Sequence, residues 1–120
     1  IEGNGHVISN LNIDIVAKGR EQQAYALWES TSNASINNLT FKNSTYTVDY
    51  ADFVNGSFAF LSGKANGTKF LNVVFDSVHV EVTVSELSNV SYINIVTPEG
   101  ESLAGVTVNS NCSTNIEVKK

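Results

Sequence analysis

Methionine is absent from the 120 residues, and cysteine, proline and arginine occur once each. A lone thiol, Cys112, excludes an internal disulfide and a thiolate metal cluster, and it reads as a buried, inert side chain. No apolar run approaches the roughly 20 residues that a membrane-spanning helix requires. Seven Lys and Arg stand against 12 Asp and Glu, a net charge of −5. That balance supplies no basic stripe for phosphates and disfavours nucleic acid and anionic membrane surfaces as partners. Runs of Ala, Leu, Glu and Lys that would build helices are missing too.

What remains is rich in Val, Ile, Phe, Tyr and Thr, the residues of strands, and in Asn, Ser and Thr. The length suits one domain with a modest core. The first residues do not read as a leader. They open inside a turn, Gly3-Asn4-Gly5, and so lead us to expect a segment of a longer chain. These glycines do not form a dinucleotide cradle, since Ile8 stands where the third glycine belongs and no full strand precedes them. They read instead as a tight corner, because Gly and Asn both tolerate positive φ.

The pattern apolar-x-Asn-apolar-x-apolar recurs at Ile8–Ile13, Ile36–Phe41 and Phe70–Phe75, with degraded copies at Tyr92–Thr97 and Ser113–Val118. "AYALWESTSNASI" (24–36) also lies over "FAFLSGKANGTKF" (58–70) without gaps at a spacing of 34. Repeats of this length, with short strands in each, predict a stacked architecture: a parallel β-helix of about four to five coils. Asn10, Asn38, Asn72, Asn94 and Asn115 would then share one corner and hydrogen-bond along the axis as a ladder. Regular coils are expected over residues 1–82, and degraded coils or a cap of the same domain over 83–120. A β-sandwich is the alternative, because strands every 8 to 12 residues suit it as well.

Alternation predicts that Leu11, Ile13, Leu39, Phe41, Val73, Phe75, Ile95, Ile116 and Val118 point inward. Asp14, Lys42 and Asp76 would form an outer column of alternating charge. Leu71, Val74, Ile93 and Val96 would form an outer apolar patch that something should cover.

The stretches "GNGHVISNLNI", "ASINNLTFKNST" and "FAFLSGKANGTKFLNVVFDSVHV" resemble the GLUG-type β-solenoid repeats of bacterial surface and secreted proteins, which also accompany IgA-specific metalloproteases of Gram-positive bacteria. The match covers about residues 2 to 80, and GNGH with the first Asn-Leu strand is its most specific part. The resemblance implies a right-handed β-helix serving as a stalk or adhesive module at the cell surface or outside the cell. It supplies no catalytic residues: His-Glu-x-x-His is absent, and His6 and His79 stand alone. The chain departs from the repeat at Ala26–Glu29 and Phe60–Gly63, where "GGLVG" would stand, and again after Val82.

No catalytic site, metal site or cofactor is expected. Asp49 and Asp52 are the nearest approach to a pair of glycosidase carboxylates. They lie in a stretch, Tyr46 to Asn55, that the unequal Asn spacings predict to bulge from the coils, as do Lys18 to Gln23. Tyr46, Tyr50 and Phe53 beside those carboxylates, with Trp28, are candidate ligand-binding residues, since such groups stack on sugar rings or anchor a protein partner. The reading is a non-catalytic extracellular module, with a glycan, a host or cell-surface protein, or flanking domains of its own chain as partners. The alternative is a scaffold fragment of a polysaccharide hydrolase or lyase. Seven Asn-x-Ser/Thr triplets occur, at Asn33, Asn38, Asn43, Asn55, Asn66, Asn89 and Asn111, where chance gives about three. They would accept glycans in a eukaryotic secretory route and are otherwise incidental to Asn-rich turns, the reading that Asn38 favours as a ladder member.

Overall fold

Alternation of apolar and polar residues drives two 16-residue strands that run side by side through the centre of the molecule. The computed structural model describes residues 1–17, 24–28, 31–50, 56–98 and 104–119. Among them lie eleven strands: β1 (Glu2–Ser9), β2 (Asn12–Ala17), β3 (Ala24–Tyr25), β4 (Thr31–Ser32), β5 (Ser35–Tyr50), β6 (Gly56–Phe58), β7 (Ala65–Asn66), β8 (Lys69–Val84), β9 (Val90–Ile93), β10 (Val106–Val108) and β11 (Ser113–Val118). A single 3₁₀ turn, Leu87–Asn89, precedes β9. The protein is all-β.

Every described strand pair is parallel. The main sheet carries β1 and β2 on one side of β5, then β8, then β10 and β11 on the far side of β8. A second sheet runs β3-β6-β9 and a third pairs β4 with β7. Twice among the described residues the chain visits the main sheet, the second and the third in turn, then returns to the main sheet one strand further along. The offset between paired residues stays at 33 to 35 in all three sheets: Asn12 with Thr45, Ser35 with Lys69, Gly56 with Val90, Thr31 with Ala65, His79 with Ser113. The same offset carries past residue 82 into β9, β10 and β11. The principal extents are 44 × 27 × 21 Å.

The long strands bend where residues take positive φ. In β5 these are Asn38 (φ 54°) and Asn43 (φ 50°); in β8 they are Asn72 (φ 54°) and Ser77 (φ 52°). A left-handed residue consumes one position without advancing the pleat, so the inward parity shifts by one at each bend. Thus Val73 and Phe75 face in before Ser77, and Val78, Val80, Val82 and Val84 face in after it. In β5, Leu39 and Phe41 precede Asn43, and Ser44, Tyr46 and Val48 follow it. The first pass repeats both bends at Asn4 (φ 52°) and Asn10 (φ 61°), with Gly5 (φ 76°) extending the first. The last pass makes the first bend at Gly105 (φ 83°), where a Cβ would stand 2.0 Å from the Phe70 carbonyl oxygen; only glycine fits.

The core lies between the sheets. Phe41 stacks on Phe75 with ring centroids 5.2 Å apart and planes 9° from parallel, and Phe60 meets both rings edge-on at 5.6 and 6.3 Å. Such pairs contribute about 0.5–1.5 kcal/mol each beyond their buried area. Of the expected inward residues, Leu39, Phe41, Val73, Phe75 and Ile95 are buried, and Leu11, Ile13 and Ile116 half-buried in the outermost passes. Val118 is exposed.

Several expectations are corrected. The Asn spacings of 28, 34, 22 and 21 do not follow the offset between paired residues, which stays at 33 to 35. Tyr46 to Tyr50 therefore lie inside β5 and form no bulge, whereas Lys18 to Gln23 lie outside the described residues. The gapless alignment of 24–36 with 58–70 holds from Trp28 onward but is one residue out at its start, since Tyr25 pairs with Phe58. The charge column divides: Lys42 pairs with Asp76, whereas Asp14 faces Thr47. The apolar patch divides too, with Leu71 60% exposed, Val74 and Ile93 half-buried, and Val96 at 7% in the core.

Candidate functional site

The two rows of bends gather most of the side-chain hydrogen bonding, and they separate the five asparagines expected at one corner. Asn38 and Asn72 are neighbours at the first row, where Asn72 Nδ2 donates to Asn38 Oδ1 at 3.2 Å. Asn38 Nδ2 donates in turn to both Glu2 carboxylate oxygens at 3.3 Å, and Glu2 accepts from the Asn4 backbone N–H at 2.7 Å. Asn10 belongs to the second row with Asn43 and Ser77. Asn94 follows β9 and donates to the Pro98 carbonyl at 2.6 Å. Asn115 sits in β11 opposite Glu81. A left-handed residue produces the same local pattern at either row, so the motif alone does not tell one from the other.

Just past two bends of the second row, at Asn10 and Ser77, a side chain from the neighbouring strand or its entry receives a backbone N–H. Ser44 Oγ accepts from Leu11 N at 3.2 Å and donates to Lys42 O at 3.0 Å. Cys112 Sγ repeats this, accepting from Val78 N at 3.4 Å and donating to Phe75 O at 3.3 Å. The thiol is half-buried and held by this pair of bonds. Beside it, Asn111 accepts from Ser77 N at 2.9 Å and donates to Asp76 Oδ1 at 2.5 Å. The Asn111 bond, with smaller help from Asn109 and Lys42, holds the Asp76 carboxyl below its usual range.

Of the candidate ligand-binding residues, Tyr46 and Asp49 face opposite sides of β5, the first inward and the second to solvent. Tyr46 is 3% exposed, in the core, with its hydroxyl donating to Ala26 O at 3.2 Å. Burial, with Tyr25 beside it, pushes the phenol up to about 12. It is a structural tyrosine and no surface aromatic. Asp49 stands exposed on β5 between Val16 and Thr83. Tyr50 ends β5, paired through its backbone with Val84. Asp52 and Phe53 lie outside the described residues. Trp28 is half-buried, bridges to Ser62, and lines an open cleft of about 200 Å³ with Ile1, Thr31, Ala34 and Ile36.

Two features escaped the motif search. His79 Nδ1 lies 2.7 Å from Ser113 Oγ on the outer face, a pairing visible only once the 34-residue offset is applied to β11. Tyr92 is half-exposed on β9. Among the described residues no three His, Cys, Asp or Glu side chains stand close enough to hold a metal ion, and no helix is long and apolar enough to cross a membrane. Compared with protein-family models, curated proteins and solved structures, the chain finds no match in any of the three.

Proposed function

We propose that the chain is a non-catalytic β-solenoid module, a right-handed parallel β-helix of the GLUG type, in a larger extracellular or cell-surface protein, where it acts as a spacer and presents a ligand-binding face. The observation that carries this reading is the parallel offset of 33 to 35 residues kept through three sheets. A unit that pairs only with its neighbours can be repeated to set a length. The outer face fits presentation: its positions carry Thr40, Thr45, Thr47, Asp49, Glu81 and Thr83, short polar groups on a rigid surface. Trp28 at the open cleft is the aromatic best placed for a sugar ring or an apolar partner side chain.

The test is a glycan array probed with the purified domain beside Trp28→Ala and an Asp49→Asn/Asp52→Asn double variant, together with fractionation of the native source. Binding without turnover that is lost in Trp28→Ala, with the protein outside the cell, supports the proposal. Turnover of a polysaccharide that disappears in the double variant overturns it in favour of a carbohydrate-active enzyme.

A further inference from the structure

The seven Asn-x-Ser/Thr triplets exceed the chance number about twofold, and six of their asparagines are described. These six divide cleanly by what the amide is doing. Asn38 Nδ2 is held by the Glu2 carboxylate, Asn111 Nδ2 by Asp76, and Asn89 is buried with Nδ2 on Ser85 Oγ at 3.2 Å. Asn33, Asn43 and Asn66 are exposed, and among the described residues none of their side chains makes a hydrogen bond. Two of the three stand on bends: Asn33 and Asn43 take φ near 50°, while Asn66 precedes Gly67 at φ 63°. The bends themselves do not demand the hydroxyl two residues on. Asn4, Asn10 and Asn72 adopt the same φ and are followed there by His6, Asn12 and Val74.

We infer that Asn33, Asn43 and Asn66 are N-glycan acceptors, and that Asn38, Asn89 and Asn111 are not in the folded chain. The co-substrate is an oligosaccharide linked through pyrophosphate to a lipid. The amide nitrogen forms a bond to the anomeric carbon, the bond from that carbon to the phosphate oxygen breaks, the lipid pyrophosphate leaves with the electron pair, and the amide proton passes to a base of the transferase. The sugar replaces one N–H of Nδ2. At the three free amides it projects into solvent. At the other three it displaces a hydrogen bond or enters the interior, so chains modified there do not reach the native fold. The inference rests on the extracellular reading, because the donor meets a chain only on a secretory route.

The test is secretion of the full chain, behind a heterologous leader, from a eukaryotic host, with glycopeptide mapping before and after peptide-N-glycosidase. Soluble, cooperatively folding protein is expected to carry sugar at Asn33, Asn43 and Asn66, with Asn38, Asn89 and Asn111 bare. A Ser35→Ala/Thr45→Ala/Asn66→Gln variant, which keeps both left-handed asparagines, is expected to lose those three glycans. If that variant fails to secrete, Thr45→Ala alone is expected to lose the Asn43 glycan and keep the other two. Folded protein bare at all three sites, or carrying sugar at Asn38, Asn89 or Asn111, overturns the inference. Fractionation of the native source stands apart: a native protein found inside the cell overturns the extracellular reading, while acceptor competence is judged in the secreting host.

Discussion

Cys112 illustrates how much a single side chain at a bend is asked to do. Its sulfur takes the place that Ser44 Oγ holds two strands earlier in the same row of bends, receiving a backbone N–H. Cys112→Ser is therefore expected to hold stability within about 1 kcal/mol, whereas Cys112→Ala strands the Val78 N–H and costs about 1–3 kcal/mol; urea unfolding of the two variants decides it. Asp76 next door provides a pH handle. Its folded carboxyl is held below the unfolded value of 3.8, so its contribution is complete above about pH 4 and is lost as pH falls through the lower folded value. Thermal melts from pH 6 down to pH 2 should show this loss, and Asp76→Asn should flatten the profile at its acid end.

At the scale of the strand, the bends are the organising element. Two ingredients are mixed at Asn38: a side chain that tolerates left-handed backbone, and an amide that links Glu2 to Asn72. Asn38→Gly keeps the first and removes the second, and Asn38→Ala removes both. The glycine variant is expected to lose about 0.5–1.5 kcal/mol and the alanine variant about 1–2 kcal/mol more; equal losses would show that the amide links, and not the backbone, set the bend. Ser77 is the one bend residue in the long strands that is neither Asn nor Gly. Ser77→Asn is expected to gain up to about 1 kcal/mol by calorimetry. The sequence made the inward residues after each bend legible, because the parity shift follows Asn in plain view at Leu39 and Phe41 and at Val73 and Phe75. It hid which row each Asn occupies, since Asn10 and Asn38 carry the same local signature at different corners. The buried place of Tyr46 was hidden with it, because the uneven Asn spacing cast a strand interior as a loop.

At the scale of the whole molecule, the described strands pair in parallel at an offset of 33 to 35 residues, within extents of 44 × 27 × 21 Å. Residues 35–68 carry β5, β6 and β7, one strand of each sheet. Tandem duplication of that segment is expected to add one level, with Lys42–Asp76-type and Phe41–Phe75-type contacts recreated, and to raise the melting temperature. In a β-sandwich the same insertion would have no pairing partner and would lower the temperature or leave it unchanged, so a melt of the duplicated chain separates the two architectures. The 34-residue spacing of 24–36 against 58–70 carries the pairing offset in the sequence itself, and the uneven Asn spacings obscure it.

The parity shift at each left-handed residue gives the chain something close to a reading frame for inside and outside. Removing His79 alone would put Val80, Val82 and Val84 out of phase and turn three valines to water in one step, although no valine had been touched. Lengthening by a full pass preserves phase everywhere. Variants of such a chain should therefore differ from one another by multiples of the period, or by changes tucked between strands, and seldom by one residue within them.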